Sequence, residues 1–99
     1  MNEFNLIGVL KSVMPLEETA SGIKVINFIV EVDRPFKSDK TDTFKVTAFK
    51  DVAEDFATRT IIGSSVLIKG RLQSNNYEKD DKVYYSPELL ADKIYYVVI

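Results

Sequence analysis

Only one stretch of this 99-residue chain, 51-DVAEDFATRTI-61, spaces its apolar residues as a helix does. Val52 and Phe56, like Ala53 and Ala57, stand at i,i+4 with acids between them. Asp51 reads as the N-cap, and Gly63 stands where a helix C-terminus favours a glycine. The other apolar runs have the period of strands. A single short helix set among strands leaves few architectures open, because the strand edges must be paired or covered.

The strands follow from alternation and from their stops. In 4-FNLIGVLKS-12 both parities are apolar, as in a strand covered on two sides, and Gly8 marks a bend or a close backbone approach. The segment 15-PLEETASG-22 is a loop closed by Ser21-Gly22. The long β-branched run 23-IKVINFIVEVDR-34 sets Ile26, Phe28, Val30 and Val32 on one face. Pro35 stops it, since proline cannot donate to a ladder. A polar hairpin tip, 36-FKSDKTD-42, leads into a third strand over 43–49. After the helix come a strand over 65-SVLIKGRLQ-73, a hairpin tip over 74-SNNYEKDDK-82, a strand over 83-VYYSPELLA-91 and a further short strand at 93-KIYYVVI-99. No internal repeat or linker divides the chain, so residues 1–99 read as a single domain.

This order predicts an all-β protein with one short helix. The fitting architecture is a five-stranded Greek-key barrel, the OB-fold, with its helix between strands three and four. Element order alone leaves a small open α+β sheet as the alternative.

Composition removes most chemistry. The chain has no cysteine and no histidine, which excludes disulfides, thiol nucleophiles, zinc ribbons and imidazole catalysis. The acids are scattered, and 78-EKDD-81, flanked by lysines, suits a solvated turn better than a metal cage. Neither phosphate-cradling glycine loop is present. The expectation is a protein that is not an enzyme and needs no cofactor or metal. No apolar run is long enough to span a bilayer, and no signal peptide opens the chain; a cytoplasmic location is expected. Thirteen basic residues against fifteen acidic give a net charge of −2. Residues 1–50 balance at seven and seven, and residues 51–99 carry eight acids and six bases. Any surface for a polyanion must therefore be local, made by sorting charge between faces.

One strand shows such sorting. In 43-TFKVTAFKD-51, Phe44, Val46 and Ala48 make a core face, which leaves Thr43, Lys45, Thr47 and Phe49 on the solvent side. On the fourth strand Lys69, Arg71 and Gln73 share one parity, which continues through Asn75 to Tyr77. Cations interleaved with flat rings suit single-stranded nucleic acid: a ring offers its face to any base, and cations follow the backbone.

Several pieces carry a family resemblance: 5-NLIGVL-10, 21-SGIKVINFIVEVDRPF-36, 44-FKVTAFKDVAED-55, 63-GSSVLIKGRLQSNNYE-78 and 84-YYSPEL-89. In this order and spacing the chain resembles the bacterial and phage single-stranded DNA-binding proteins of the OB-fold type. The resemblance implies a homo-oligomer, tetramer before dimer, that coats and protects single-stranded DNA in replication, recombination and repair without reading sequence. It places stacking aromatics at Phe36, Phe49 and Tyr77 and a basic contact at Lys45. Lys69, Arg71 and Arg34 complete the candidate set. Tyr84, Tyr85, Tyr95 and Tyr96 read instead as barrel and interface residues.

The chain also departs from the family pattern. Thr43 stands where the family often has another stacking aromatic. Gln73, Asn75 and Asn76, like Ile61 and Ile62, stand where basic residues are common. Fewer cations mean fewer released counterions, hence weaker binding with a shallower salt dependence. The family usually continues into an acidic C-terminal tail that recruits protein partners; the sequence ends at Val97-Val98-Ile99, and no such tail is expected. The thin basic complement keeps a second reading open, an OB-fold adaptor of a replication-restart or recombination complex that acts mainly through protein partners.

Overall fold

The first strand has neighbours on both sides, and this closes the sheet. In the computed structural model, which describes residues 1–36 and 39–97, the elements run β1 (Phe4–Val13), β2 (Glu17–Glu18), β3 (Lys24–Asp33), β4 (Thr41–Phe49), α1 (Lys50–Arg59), β5 (Ser65–Ser74), β6 (Tyr77–Lys79), β7 (Lys82–Tyr84) and β8 (Pro87–Tyr96). Residues Phe4 to Val9 of β1 pair with β5, and Val9 to Val13 pair with β3. The order β1-β5-β8-β4-β3 therefore returns to β1. All of these pairings are antiparallel except β4 with β8. This is the expected five-stranded barrel, with α1 between its third and fourth strands. The open sheet is excluded by the dual pairing of β1.

The handover along β1 is visible in the residues. The β1–β3 register slips between Leu10 and Ser12, so Lys11 is the extra residue of a bulge. A Cβ on Gly8 would lie 2.8 Å from the Glu31 carbonyl oxygen, the close backbone approach that its glycine implied.

The core is built from the predicted parities. Leu10, Ile26, Phe28, Val30, Val46, Ala48, Val66 and Ile68 are buried from the strands, and α1 adds Ala53 and Phe56. The Phe56 ring stacks on Phe28 with centroids 4.2 Å apart, plugging one end of the barrel. A fully buried aromatic of this kind stabilises by about 1.5–3 kcal/mol over an exposed one. Tyr96 continues the stack at 6.2 Å from Phe56, and the Arg59 guanidinium lies 5.7 Å from its ring centre. Burial pushes the Tyr96 hydroxyl up to about 12; Asp55 adds to the rise and Arg59 opposes it.

Three local expectations need correction. The helix cap is Phe49, not Asp51, and it makes no side-chain cap bond. Strand β4 runs straight to Phe49, and Lys50 reverses the chain with φ of 56°, so the helix begins one residue before Asp51. Asp51 instead lies in the first turn, where its charge favours the helix N-terminus. The strands expected over 83–91 and 93–99 are largely one, β8, because the β5–β8 ladder resumes after a slip between Lys69 and Gly70. Asp92 is the extra residue on β8. Lastly, the tip over 74–82 holds a two-stranded ribbon, β6–β7, turned at Asp80 and Asp81. Both have positive φ, 53° and 62°, as a tight two-residue hairpin requires. Lys37, Ser38, Val98 and Ile99, within segments read above as a hairpin tip and a strand end, lie outside the described residues.

Candidate nucleic-acid interface

The outer face of β4 carries what its alternation predicted. Val46 and Ala48 are fully buried and Phe44 half-buried, while Thr43, Lys45 and Phe49 are exposed. Thr47 donates from its hydroxyl to Asn27 Oδ1 at 2.6 Å, a polar tie to β3 on this outer side. Phe49 is 38% exposed: it is neither a core residue nor a free one.

What half-covers Phe49 is a shallow depression between β4, β8 and the start of α1. Ile23, Phe49, Val52, Arg71, Leu90 and Asp92 help to line it, and its volume is about 470 Å³. Leu90 is only 3% exposed although its neighbours, Thr47 on β4 and Arg71 on β5, belong to the outer face. It forms an apolar floor beneath the rim. Sequence reading missed it as part of this surface; the signal was 89-LLA-91, apolar at successive positions where a strand with one wet face would alternate.

The structure thus brings Phe49 and Arg71 to one depression. Lys45 lies two residues back from Thr47 and four from Phe49 on the same face, and Lys69 lies two residues from Arg71. Lys69 faces Lys93 directly across the β5–β8 ladder, which makes Lys93 a basic residue of this surface that sequence reading did not single out. The expected parity holds from Lys69 through Arg71 and Gln73. It does not run on to Asn75 and Tyr77, because β5 ends at Ser74 and Tyr77 belongs to the separate ribbon.

On that ribbon Tyr77 is 56% exposed and lies flat against Tyr84. Tyr84, read above as a barrel or interface residue, is a ribbon residue 42% exposed. The base of the ribbon is held where Asn75 donates its amide to the Ser86 carbonyl at 2.7 Å and Ser86 donates to Asn76 Oδ1 at 3.1 Å. Phe36 is 95% exposed with φ of 65°, so the fold leaves its ring without packing.

Arg34 stands at the end of β3, near Phe36 and apart from the depression. Its Nε and Nη2 both donate to Asp42 Oδ1, at 2.9 and 2.7 Å. That hydrogen bonding holds the Asp42 carboxyl below the usual carboxylate range. The pair is therefore fully charged at neutral pH and is lost only as pH falls through the lowered Asp42 value. Arg71 is likewise engaged, its Nη1 donating to Asp92 Oδ1 at 2.5 Å. Lys45 and Lys69 make no ion pair among the described residues.

Residues 1–97 match the model of the Single-strand binding protein family. A single-stranded DNA-binding protein of Oceanobacillus iheyensis is 31% identical over 102 residues, an alignment covering 98% of this chain and 63% of that protein. Single-stranded DNA-binding protein 1 of Staphylococcus aureus strain Mu50 is 32% identical over 102 residues, covering 98% of this chain and 65% of its own length. The chain thus spans somewhat less than two thirds of these relatives. The fold is similar to that in the crystal structure of a small single-stranded DNA-binding protein from Streptomyces coelicolor. The TM-score is 0.75 with 18% identity, over 97% of this chain and 94% of that one.

Proposed function

This chain belongs to the single-strand binding protein family, and we propose that it binds single-stranded DNA without regard to sequence. The observation that carries the reading is the depression shared by Phe49 and Arg71, with Lys45 on the adjoining strand face. A base stacks on the open side of Phe49 and its phosphates meet Arg71, Lys45 and Lys69. Tyr77, Phe36 and Arg34 extend the path along the loops. Base stacking tolerates every base, and a modest set of cations gives a modest salt dependence. The physiological role is to coat and protect strands exposed in replication, recombination and repair, in the cytoplasm. Among the described residues no helix is long and apolar enough to cross a membrane.

The binding unit is a homo-oligomer, a tetramer before a dimer. Supporting this, Ile7 is 66% exposed and Val9 44% on the outer side of β1. Ile7 faces Leu67, which faces Tyr95, so an apolar strip crosses β1, β5 and β8. A second copy laid on this strip would remove it from water. The adaptor reading is not favoured by a family match that runs through residues 1–97.

The test is fluorescence anisotropy with labelled oligo-dT, and with a duplex of equal length, at two salt concentrations. Tighter binding of the single strand, weakening as salt rises, is expected. Equal affinity for both would remove the proposal.

A further inference from the structure

All three arginines of this chain are held by aspartates: Arg34 by Asp42, Arg59 by Asp55 and Arg71 by Asp92. The Arg59 pair is a local i,i+4 contact on α1, and Arg59 also covers Tyr96. Arg71 is a different case, because its partner is supplied by an irregularity in the sheet. Asp92 is the one residue that β8 has in excess of β5, between the pairs Lys69–Lys93 and Gly70–Ala91. In an unbroken ladder Asp92 would fall opposite Lys69. The bulge re-aims it to Arg71 and leaves Lys93 opposite Lys69.

The result is a patch of three cations, Lys69, Arg71 and Lys93, with Asp92 among them and Glu3 beside the two lysines. Two ammonium groups directly opposite each other are unfavourable in a sheet, and an anion between or beside them relieves the repulsion. The aspartate is spent on the arginine instead. A phosphodiester offers the guanidinium the same kind of charged oxygen acceptor that the carboxylate does. Both side chains of the Arg71–Asp92 pair are about half exposed, at 49% and 50%, and ion pairs so exposed are weak and readily exchanged. Asp92 and Arg71 also line the depression flanked by Phe49, so the exchange would occur where a base is stacked.

We propose that Asp92 is a built-in competitor for the phosphate backbone of single-stranded DNA. In the free protein its carboxylate occupies Arg71; on binding, a backbone phosphate takes its place. This rests on the single-stranded DNA reading above and adds to it a residue that weakens binding, a property that neither the basic nor the aromatic residues have.

The experiment is a double-mutant cycle on oligo-dT affinity, using the wild-type chain, Asp92→Asn, Arg71→Ala and the double variant, with Glu54→Gln as a control that removes the same charge from an exposed site on α1. Thermal melting of each variant in the same buffer confirms that it is folded. Asp92→Asn should tighten binding by about two- to five-fold at low salt, the range of an exposed ion pair. The gain should shrink as salt screens the pair, and it should be absent in the Arg71→Ala background. Glu54→Gln should give a smaller gain than Asp92→Asn. If Asp92→Asn binds oligo-dT no better than a wild-type protein that does bind, Asp92 orients Arg71 or is idle, and the proposal is overturned. An equal gain with Arg71 absent, or from Glu54→Gln, would assign the effect to net charge and overturn it as well. A wild-type chain that does not bind oligo-dT removes the underlying reading, a failure distinguishable from either of these.

Discussion

The ring of Tyr77 lies on the ring of Tyr84 with centroids 5.1 Å apart and planes 12° from parallel. The two residues face each other across the β6–β7 ribbon, so one ring braces the other and each keeps an outer side open. A base stacked on Tyr77 would extend a stack that already exists. Tyr84→Ala should therefore weaken oligo-dT binding although Tyr84 was not among the expected stacking residues. The loss should approach that of Tyr77→Ala, about 1–3 kcal/mol. Tyr84→Phe should restore it, and the double alanine variant should cost less than the sum of the two. Anisotropy titration of the four variants checks this; full affinity in Tyr84→Ala would show that Tyr77 needs no brace.

Lys45 tests the phosphate side of the account. It is exposed and has no ion-pair partner among the described residues, so its removal should leave the melting temperature nearly unchanged. Lys45→Ala should reduce the magnitude of the salt slope of oligo-dT binding by about 0.7, the contribution of one phosphate contact on a single strand. Titrations at four salt concentrations would measure it. A drop in affinity at unchanged slope would make Lys45 a structural residue.

Gly70 tests the barrel itself. A Cβ built there would lie 2.0 Å from the Leu90 carbonyl oxygen and 2.7 Å from the Phe4 ring. Backbone cannot yield as a flexible side chain does, so Gly70→Ala should destabilise by about 3 kcal/mol or more. Gly63→Ala offers a contrast, since nothing lies within 4 Å of its Cβ and the cost there comes from φ of 91° alone. Chemical denaturation of both variants would check the order, with Gly70→Ala the worse.

The outer side of β1 tests assembly. Ile7→Glu puts a charge where the side chain is 66% exposed in the single chain, so the fold should survive. Light scattering should show the oligomer reduced to smaller species. A wild-type chain that is monomeric at micromolar concentration would contradict the assembly, and an unchanged mass in the variant would place the interface elsewhere.

The barrel and its helix were legible because each rests on local periodicity: Val46 and Ala48 alternate with Lys45 and Thr47, and Phe56 repeats Val52 after one helical turn. The exposed side of Phe49 was legible for the same reason. What local pattern could not carry was register. That Tyr77 faces Tyr84 depends on where the ribbon turns, at Asp80 and Asp81. That Asp92 reaches Arg71, and that Lys93 faces Lys69, depends on a bulge set by long-range pairing. The ion pairs on Arg34 and Arg71 were hidden likewise, since Arg34, one residue past β3, meets Asp42 on β4, and Arg71 on β5 meets Asp92 on β8. The cap at Phe49 was missed because the turn is made by a positive φ at Lys50, which nothing in a lysine announces.

The central claim is that Phe49 is exposed because a base completes its packing. The most direct measurement is oligo-dT affinity of Phe49→Ala, taken together with its melting temperature. The ring is 38% exposed in the free protein, so truncation should cost well below the roughly 3–5 kcal/mol of a buried phenylalanine. Binding should weaken by about 1–3 kcal/mol, roughly five- to 150-fold. An unchanged affinity in a variant that melts far below the wild type, measured where it is still folded, would make Phe49 a packing residue and contradict the account.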